Sequence, residues 1–581
     1  MKPAINSAKF KTIEGHVLQI APVKLTALRV SVLLLISLLS GCKKQLDLVS
    51  KENVTDATFW RTPNDFKLAA NQLYQGLDKF GEEDTESDIA FNVPNSISNG
   101  NLQLSATSDT WNTSYSNIRN CNKLIEKAAS FADRNIKTYA AEAKFFRAWY
   151  YWKIMRIYGG VPLITKVLDA GDPELFAPRA TQAQTVDLIL KDLDEAKNDL
   201  PLNADLSSAD IGRITSGAAL ALSARVALYE GTWEKYRGEP SANKYIDAAL
   251  ASSKAVMSSG KYELYAGSGA ESYRYLFLEK GDDSKESILD RRYARNILGH
   301  DAPYMYDQDG YNPTKKLADM YLDKNGLPIT ANGSVFHGYA TMTSEFEDRD
   351  PRMTMTMIIP GTLTNRVFSP VNKIANYPDK PQRNPNTGYI LYKYMSEDPV
   401  ANNSGRMGDQ SMFDFDRRLI RFAEVLLIYA EAVFEKNGSI TDGELDDSIN
   451  MLRARARMPR LTNSFVAANN GLHMLTEIRR ERTVELALEG FRYDDLRRWK
   501  TAETELAQDI KGIQVKESDW RNYPLYKDAR YQSKADDKGF LIVESGRKFN
   551  PAKNYLQPLP TKEVAFYATS GYSLSQNPGG W

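Results

Sequence analysis

Glu481, Glu485 and Glu489 recur at every fourth position in the stretch Ile478–Lys500. Residues four apart share one face of a helix. Two acids so placed can lie near the separation that a retaining glycosidase uses, so hydrolysis of a sugar bond is the first chemistry to consider. Arg479, Arg482, Arg492, Arg497 and Arg498 stand close by in sequence. Five cations beside three acids favour an ion-pair lattice, because such networks perturb carboxylates without making an enzyme. The spacing predicts a charged helix that stops at Gly490, a short corner, and a further helical turn ending at Trp499. Gly490 suits the helix end because it accepts a left-handed conformation without strain. The lattice is expected to pin the helix to the turn after it, with Phe491, Leu496 and Trp499 as apolar anchors.

Metal and nucleic-acid chemistry have less to build on. His16, His300, His337 and His473 are scattered and give no zinc-ligand spacing. Asp307-Gln-Asp309-Gly310 opens like a calcium loop but lacks the later ligand positions, so neither metal nor cofactor is expected. The 74 basic and 74 acidic residues give zero net charge, which argues against a nucleic-acid partner.

Cys42 is positioned for covalent modification. Lys24 and Arg29 precede an apolar run from Val30 to Leu39, and Leu39-Ser-Gly-Cys42 follows. A basic flank, a short apolar core and small residues before a cut describe a signal peptide, and this core is too short to span a bilayer. The cysteine at the cut makes it a lipobox. Residues 1–41 are therefore read as a lipoprotein signal peptide, Cys42 as the acylated residue and 42–63 as the tether. Cys121 is the only other cysteine, so a lipidated Cys42 leaves no intrachain disulfide. Stability must come from a core, and 581 residues at 42% hydrophobic supply one.

Sugar recognition is a third chemistry. The apolar face of a sugar stacks on an aromatic ring, while Asn, Asp or Arg bond its hydroxyls. Trp60, Trp111, Trp149, Trp152, Trp233, Trp499 and Trp581 sit in or beside helical segments or motifs, and core packing is expected of them. Trp520 lies in a polar stretch, and Tyr304, Tyr306 and Tyr311 lie among Gly, Pro and Asp; these four are loop candidates. The polar run from Gly81 to Asp109 holds Asn92, Asn95, Asn99 and Asn101. A loop this long inside a compact domain is usually functional or disordered.

Helices must position these loops. Phe66, Ala69, Ala70, Leu73 and Leu77 recur at helical spacing between Asn64 and Lys79. Trp111, Tyr115, Ile118 and Asn122 resume the period, and a helix from Tyr139 to Tyr158 ends at Gly159-Gly160 before Pro162. Ala-rich Ser216–Tyr229, then Tyr245–Val256 and Phe422–Phe434, follow the same style. Their spacing is irregular, so they read as degenerate tetratricopeptide-like helix pairs. The expected fold is mainly α: one domain over 64–581, a helical scaffold at about 64–260 and 415–507, and a loop-rich ligand-binding side. That side comprises insertions at about 261–414 and 508–581, with a few short strands such as Phe540–Glu544.

The run Glu481-Arg482, Glu485-Leu486, Glu489-Gly490, Arg492, Asp495-Leu496 and Arg498-Trp499 resembles the signature of the SusD/RagB family of bacterial surface lipoproteins. Further segments are similar to it in order along the chain. They include Trp111, Tyr115, Ile118 and Asn122; Glu142–Trp149 with Tyr158–Leu163; and Pro313-Thr314 with Leu317, Asp319 and Tyr321. Arg349-Asp-Pro-Arg352, Ile420–Leu427 with Ala430–Ala432, Asn450–Ala456, Leu556–Pro560 and Gln576–Trp581 complete the set.

The resemblance implies a lipid-anchored lid on a SusC-like TonB-dependent transporter in the outer membrane, facing the cell exterior. Such a protein captures oligosaccharides, or in some members peptides, and hands them to the barrel without catalysis. It further implies a site built from the loop after the first helix and from the mid-chain insertion. Here those are Asp88, Asn92, Asn95, Asn99 and Asn101, with the Tyr304, Tyr306 and Tyr311 segment; Trp520, from the tail, joins them as a candidate on its polar setting alone. A scaffold lipoprotein that binds another protein is the reading from a different class. The anchor is testable on its own: Cys42→Ala is expected to abolish fatty-acid incorporation, and labelling of the variant equal to that of the natural chain would refute the lipobox.

Overall fold

The structure, a computed structural model, describes residues 56–581 apart from 204–205, 309, 362, 365–374, 377–386, 399–412 and 525. Residues 1–41, read from the sequence as a signal peptide, and Cys42 lie outside the described residues. Residues Thr62–Trp581 form one compact unit.

Its frame is a succession of helices: α1 (Pro63–Leu73), α2 (Asp109–Ser130), α3 (Lys137–Tyr158), α4 (Gln182–Ala196), α5 (Ser216–Lys235) and α6 (Ala242–Ser258). From α2 to α6 each packs on the next, as tetratricopeptide-like pairs do. Their ends are set locally. Thr181 and Gln184 form a capping box, with Gln184 N–H donating to Thr181 Oγ1 at 3.1 Å and Thr181 N–H to Gln184 Oε1 at 2.9 Å. Ser108 and Thr215 cap α2 and α5. Helix α3 is buried almost all round, with Phe145, Phe146, Trp149, Tyr151 and Trp152 in the core. The close approach of α5 and α6 depends on small residues. A Cβ on Gly231 would meet the Ile246 backbone nitrogen at 2.8 Å.

Beyond a mid-chain segment, α7 (Phe422–Asn437), α8 (Ile449–Arg455), α9 (Met474–Glu485) and α10 (Arg492–Arg498) return to the frame. Helix α7 packs on α5, α6 and α9, and α10 packs on α5. The fold is mainly α with few short strands, as expected. Among the described residues the strands form four antiparallel pairs. They are β1 (Ala90–Phe91) with β3 (Asn312–Pro313), and β2 (Ser287–Arg291) with β6 (Arg417–Arg421). The others are β4 (Leu363–Thr364) with β5 (Ala375–Asn376), and β7 (Ile510–Gln514) with β8 (Phe540–Glu544).

The acidic stripe is a buried lattice, with two corrections. Helix α9 ends at Glu485, not at Gly490. The chain then turns through Leu488 and Gly490, both with positive φ (64° and 85°). The stripe's partners are also distant in sequence. Glu481 accepts from Arg352 at 2.7 Å and Arg453 at 2.9 Å. Glu485 accepts from Arg421 at 2.7 Å, Arg352 at 2.9 Å and Arg455. Glu489 accepts from Lys393 and from Arg421 Nε, each at 2.7 Å. Two more acids close the network: Glu286 on Arg421 and Arg455, and Asp350 on Arg352. Five carboxylates (Glu286, Asp350, Glu481, Glu485, Glu489) thus meet five cations (Arg352, Lys393, Arg421, Arg453, Arg455), all with side chains 6% exposed or less.

The sequence neighbours serve elsewhere. Arg482 and Arg498 both donate to Asp495 at 2.8 Å, which ties α9 to α10. Arg498 also forks onto Glu431 of α7, which accepts from Trp499 Nε1 at 2.6 Å. The last carbonyl of α9 and those of the turn after it are met by cations and a hydroxyl: Arg421 on Glu485 O, Lys393 on Ala487 O, Tyr394 on Leu488 O.

Removing one member leaves buried charge uncompensated, which costs about 3–5 kcal/mol, whereas an exposed pair is worth about 0–1. Glu485→Ala is therefore expected to lower the unfolding free energy by about 3–5 kcal/mol in urea denaturation; a loss below about 1 would show a solvated face. A pH dependence follows as well. Burial pushes the Glu431 carboxyl up, yet the guanidiniums of Arg498, Arg482 and Arg479 outweigh it and hold it at about 2, below the ordinary 4.5. A depressed folded value contributes stability that is complete above the unfolded value and lost as pH falls through the folded one. Thermal melts are expected to drop progressively from about pH 4.5 toward 2, and Glu431→Gln to flatten that part of the profile.

Candidate functional site

The loop after the first helix and the mid-chain insertion do come together. Strands β1 and β3 pair them, with Ala90 opposite Pro313 and Phe91 opposite Asn312. Thr314 donates its backbone N–H to Ile89 O at 3.0 Å and its hydroxyl to Asp88 O at 2.7 Å. Tyr306 and Tyr311 donate their hydroxyls to the carbonyls of Gly81 (2.8 Å) and Glu83 (2.5 Å). Asp84, at φ 63°, accepts the backbone N–H groups of Gly490 (3.1 Å) and Arg492 (2.8 Å). Burial carries its carboxyl up to about 7 in spite of those bonds.

These contacts correct several expectations about individual residues. Tyr306, Tyr311 and Trp520 are not exposed platforms; they are 0%, 0% and 2% exposed, inside a second aromatic core with Tyr273, Phe277, Tyr394 and Phe415. A segment with few helices or ladders must bury its own aromatic surface, and the hydroxyls then serve the loop carbonyls. Asp88 is buried on Arg492, two bonds of 2.8 Å. Asn99 is buried, donating to Glu544 Oε1 at 2.9 Å. Asn95 turns the chain by accepting the N–H of Ile97 at 2.9 Å, and Asn92 donates to Glu82 at 2.5 Å. Asn92, Asn95 and Tyr304 are half-buried and Asn101 is exposed.

An open cleft of about 870 Å³ in the mid-chain insertion was not singled out from the sequence. Seven carboxylates line it (Glu279, Asp282, Asp283, Glu397, Asp398, Asp414, Asp416) against three cations (Lys280, Arg292, Arg295) and two tyrosines (Tyr275, Tyr293). Arg295 bridges Asp398 and Asp414, the latter at 3.0 Å. Arg274 and the Tyr275 hydroxyl both bond Glu397 at 2.8 Å, and Lys280 Nζ lies 3.9 Å from the Tyr275 ring centroid. The carboxyl of Asp416 accepts the Tyr293 N–H at 2.8 Å. Burial first, then the like charges of Asp282 and Asp290, raise it to about 7. The Tyr293 ring stacks 5.8 Å from Phe80, at the start of the loop after the first helix. Glu279, Asp398 and Asp414 approach one another closely enough to hold a cation, and the Arg295 guanidinium already supplies positive charge there. Fixed acids, forked donors and half-buried rings are groups that exchange hydrogen bonds with hydroxyls and stack on apolar ring faces. The only hint in sequence was the run Asp290-Arg-Arg-Tyr-Ala-Arg295, which has no period to mark it.

A model of the SusD family matches residues 275–581, and one described as "Starch-binding associating with outer membrane" matches 50–228. "SusD-like protein P38" of Formosa agariphila is 24% identical over 538 residues, spanning 84% of this chain and 94% of that protein. Two crystal structures from Bacteroides fragilis share the fold. One is a SusD-like protein with TM-score 0.71 and 25% identity, covering 90% of this chain and 98% of its own. The other is described as a SusD-like carbohydrate binding protein, with TM-score 0.69 and 26% identity, covering 87% and 98%. The motif residues Arg352, Arg421, Arg453, Glu481 and Glu485, spread over more than a hundred positions, meet in one buried network, and with the matched residues they make this chain a member of the SusD/RagB family.

Proposed function

We propose that the protein captures oligosaccharides at the cell surface and passes them to a SusC-like TonB-dependent transporter, without catalysis. The observation that carries this reading is the mid-chain cleft, where Tyr275 and Tyr293 stand among carboxylates and guanidiniums. The carbohydrate binding named for a 26% identical relative supports it, as does the outer-membrane association in the description of the family matched by residues 50–228. In this reading Cys42 carries the lipid anchor, and the protein sits on the outer membrane facing outward. Asn92, Asn95, Asn101 and Tyr304 are the members of the expected set with accessible surface. In this reading they add polar and aromatic surface outside the cleft, three on the loop after the first helix and Tyr304 on the helix Ala302–Gln308.

A second reading has its own observation. Seven acids against three bases in the cleft favour a basic peptide over a neutral sugar.

Sugar hydroxyls exchange water for protein partners at a net of about 0.5–1.5 kcal/mol per bond, and association costs several kcal/mol. Isothermal titration is expected to give a dissociation constant of about micromolar to millimolar, tightening with glycan length. Tyr275→Ala is expected to weaken it about tenfold, or ~1.4 kcal/mol. Binding of basic peptides with silence toward plant, host and microbial glycans would select the peptide reading. Silence on both panels, with strong pull-down of a protein other than a transporter, would select a scaffold. New reducing ends in a glycan incubation would overturn the absence of catalysis.

A further inference from the structure

A second cleft, of about 360 Å³, lies between α2 and the C-terminal helix α11 (Thr561–Thr569), and shares no lining residue with the first. Ligand pockets span about 300–1,000 Å³ and are mostly apolar with a few placed polar groups. This cleft fits that description. Trp111 and Tyr115 line it from α2, one turn apart, and Phe566 and Tyr567 line it from α11. Phe566 is 52% exposed, so the cleft has an open aromatic rim. Among its polar groups, both cations are engaged. Arg119 donates to the Leu168 carbonyl, and Lys166 pairs with Glu174 at 2.7 Å.

Glu563 differs. It projects from α11 one turn before Phe566 and Tyr567, and among the described residues its carboxyl has no hydrogen-bond or ion-pair partner. Burial raises its pKa. The carboxylate is half-buried beside aromatic and aliphatic groups, and the two cations of the cleft are held by other partners, so an incoming cation would gain a charge partner that Glu563 otherwise lacks. Aromatic faces add attraction for the same charge.

We propose that this cleft binds a small organic cation, an ammonium group carried on an apolar body, with the charge on Glu563 and the body between the rings of α2 and α11. A neutral apolar ligand would fill the same volume but leave the carboxylate unpaired, and an anion would have to compete for Arg119 and Lys166, which are already engaged, while facing Glu563. The occupant is therefore selected by charge as well as by shape.

The test uses phenethylamine on the full folded chain, followed by calorimetry and by a crystal soak that locates it. Phenethyl alcohol and phenylacetate carry the same ring with no charge and the opposite charge. Saturable binding of the amine in this cleft is expected, with at least about tenfold weaker binding of the alcohol and none of phenylacetate. Glu563→Gln, which keeps the side chain's shape, is expected to bring the amine to the level of the alcohol. Phe566→Ala, at an exposed position, gives a second variant should the first melt at a lower temperature. Absence of saturable amine binding, equal binding of alcohol and amine, density at another site, or an unchanged affinity in Glu563→Gln would each overturn the proposal.

Discussion

Everything in this fold depends on a buried, charge-balanced network in which five acids meet five cations around the end of α9. Ions leave water at a cost of several kcal/mol each, and the structure tolerates this only because every carboxylate faces at least one cation at hydrogen-bond distance. Burial alone would raise the carboxyls of Glu481 and Glu489, yet Arg352 and Arg453 on the first, and Arg421 and Lys393 on the second, hold both below the ordinary value. Because its members come from the residue before β2, from β6, α8 and α9, from the turn after α9 and from the mid-chain segment, the network joins the helical frame to the loop-rich side. It also fixes the chain reversal from Leu488 to Arg492. Through Asp84 that reversal is bonded to the loop after the first helix. The placement of the candidate binding face thus rests on charges that never touch solvent.

Sequence patterns showed part of this. Glutamates at every fourth position marked a face of α9, and arginines nearby marked it as ionic. The partners could not be read, because charge pairing follows tertiary position. Arg352 is 129 residues from Glu481 yet bonds it directly, while Arg479, two residues away from Glu481, pairs with Glu435. Helix pairs were legible from their period, and Trp111, Trp149, Trp152, Trp233 and Trp499, in or beside helices, are buried as their setting implied, whereas Trp60 and Trp581 near the chain ends are only half-buried. The strand Phe540–Glu544 is present.

The aromatic residues of the insertions were harder to place. Glycine, proline and tyrosine together describe a solvated loop and a loop with its own core equally well. Tyr306, Tyr311 and Trp520 belong to a core because they pack with Leu276, Leu317, Met353 and Leu391 in a cluster that the insertions build for themselves. Tyr275 and Tyr293, which line the mid-chain cleft, sit in sequence beside charges of both signs, and no periodicity separates them from their neighbours. Burial is decided by what the chain packs against, and one-dimensional composition does not contain that.

The charge balance also has an order in time. A chain that emerges from its amino end presents Arg352, Lys393, Arg421, Arg453 and Arg455 before any of Glu481, Glu485 and Glu489. Until the last of these is available, the cations outnumber the two earlier acids, Glu286 and Asp350, and their burial is opposed. The tertiary lock therefore closes only when about five-sixths of the chain has been made, and the long helical segments ahead of it wait for a counter-charge that is synthesised late.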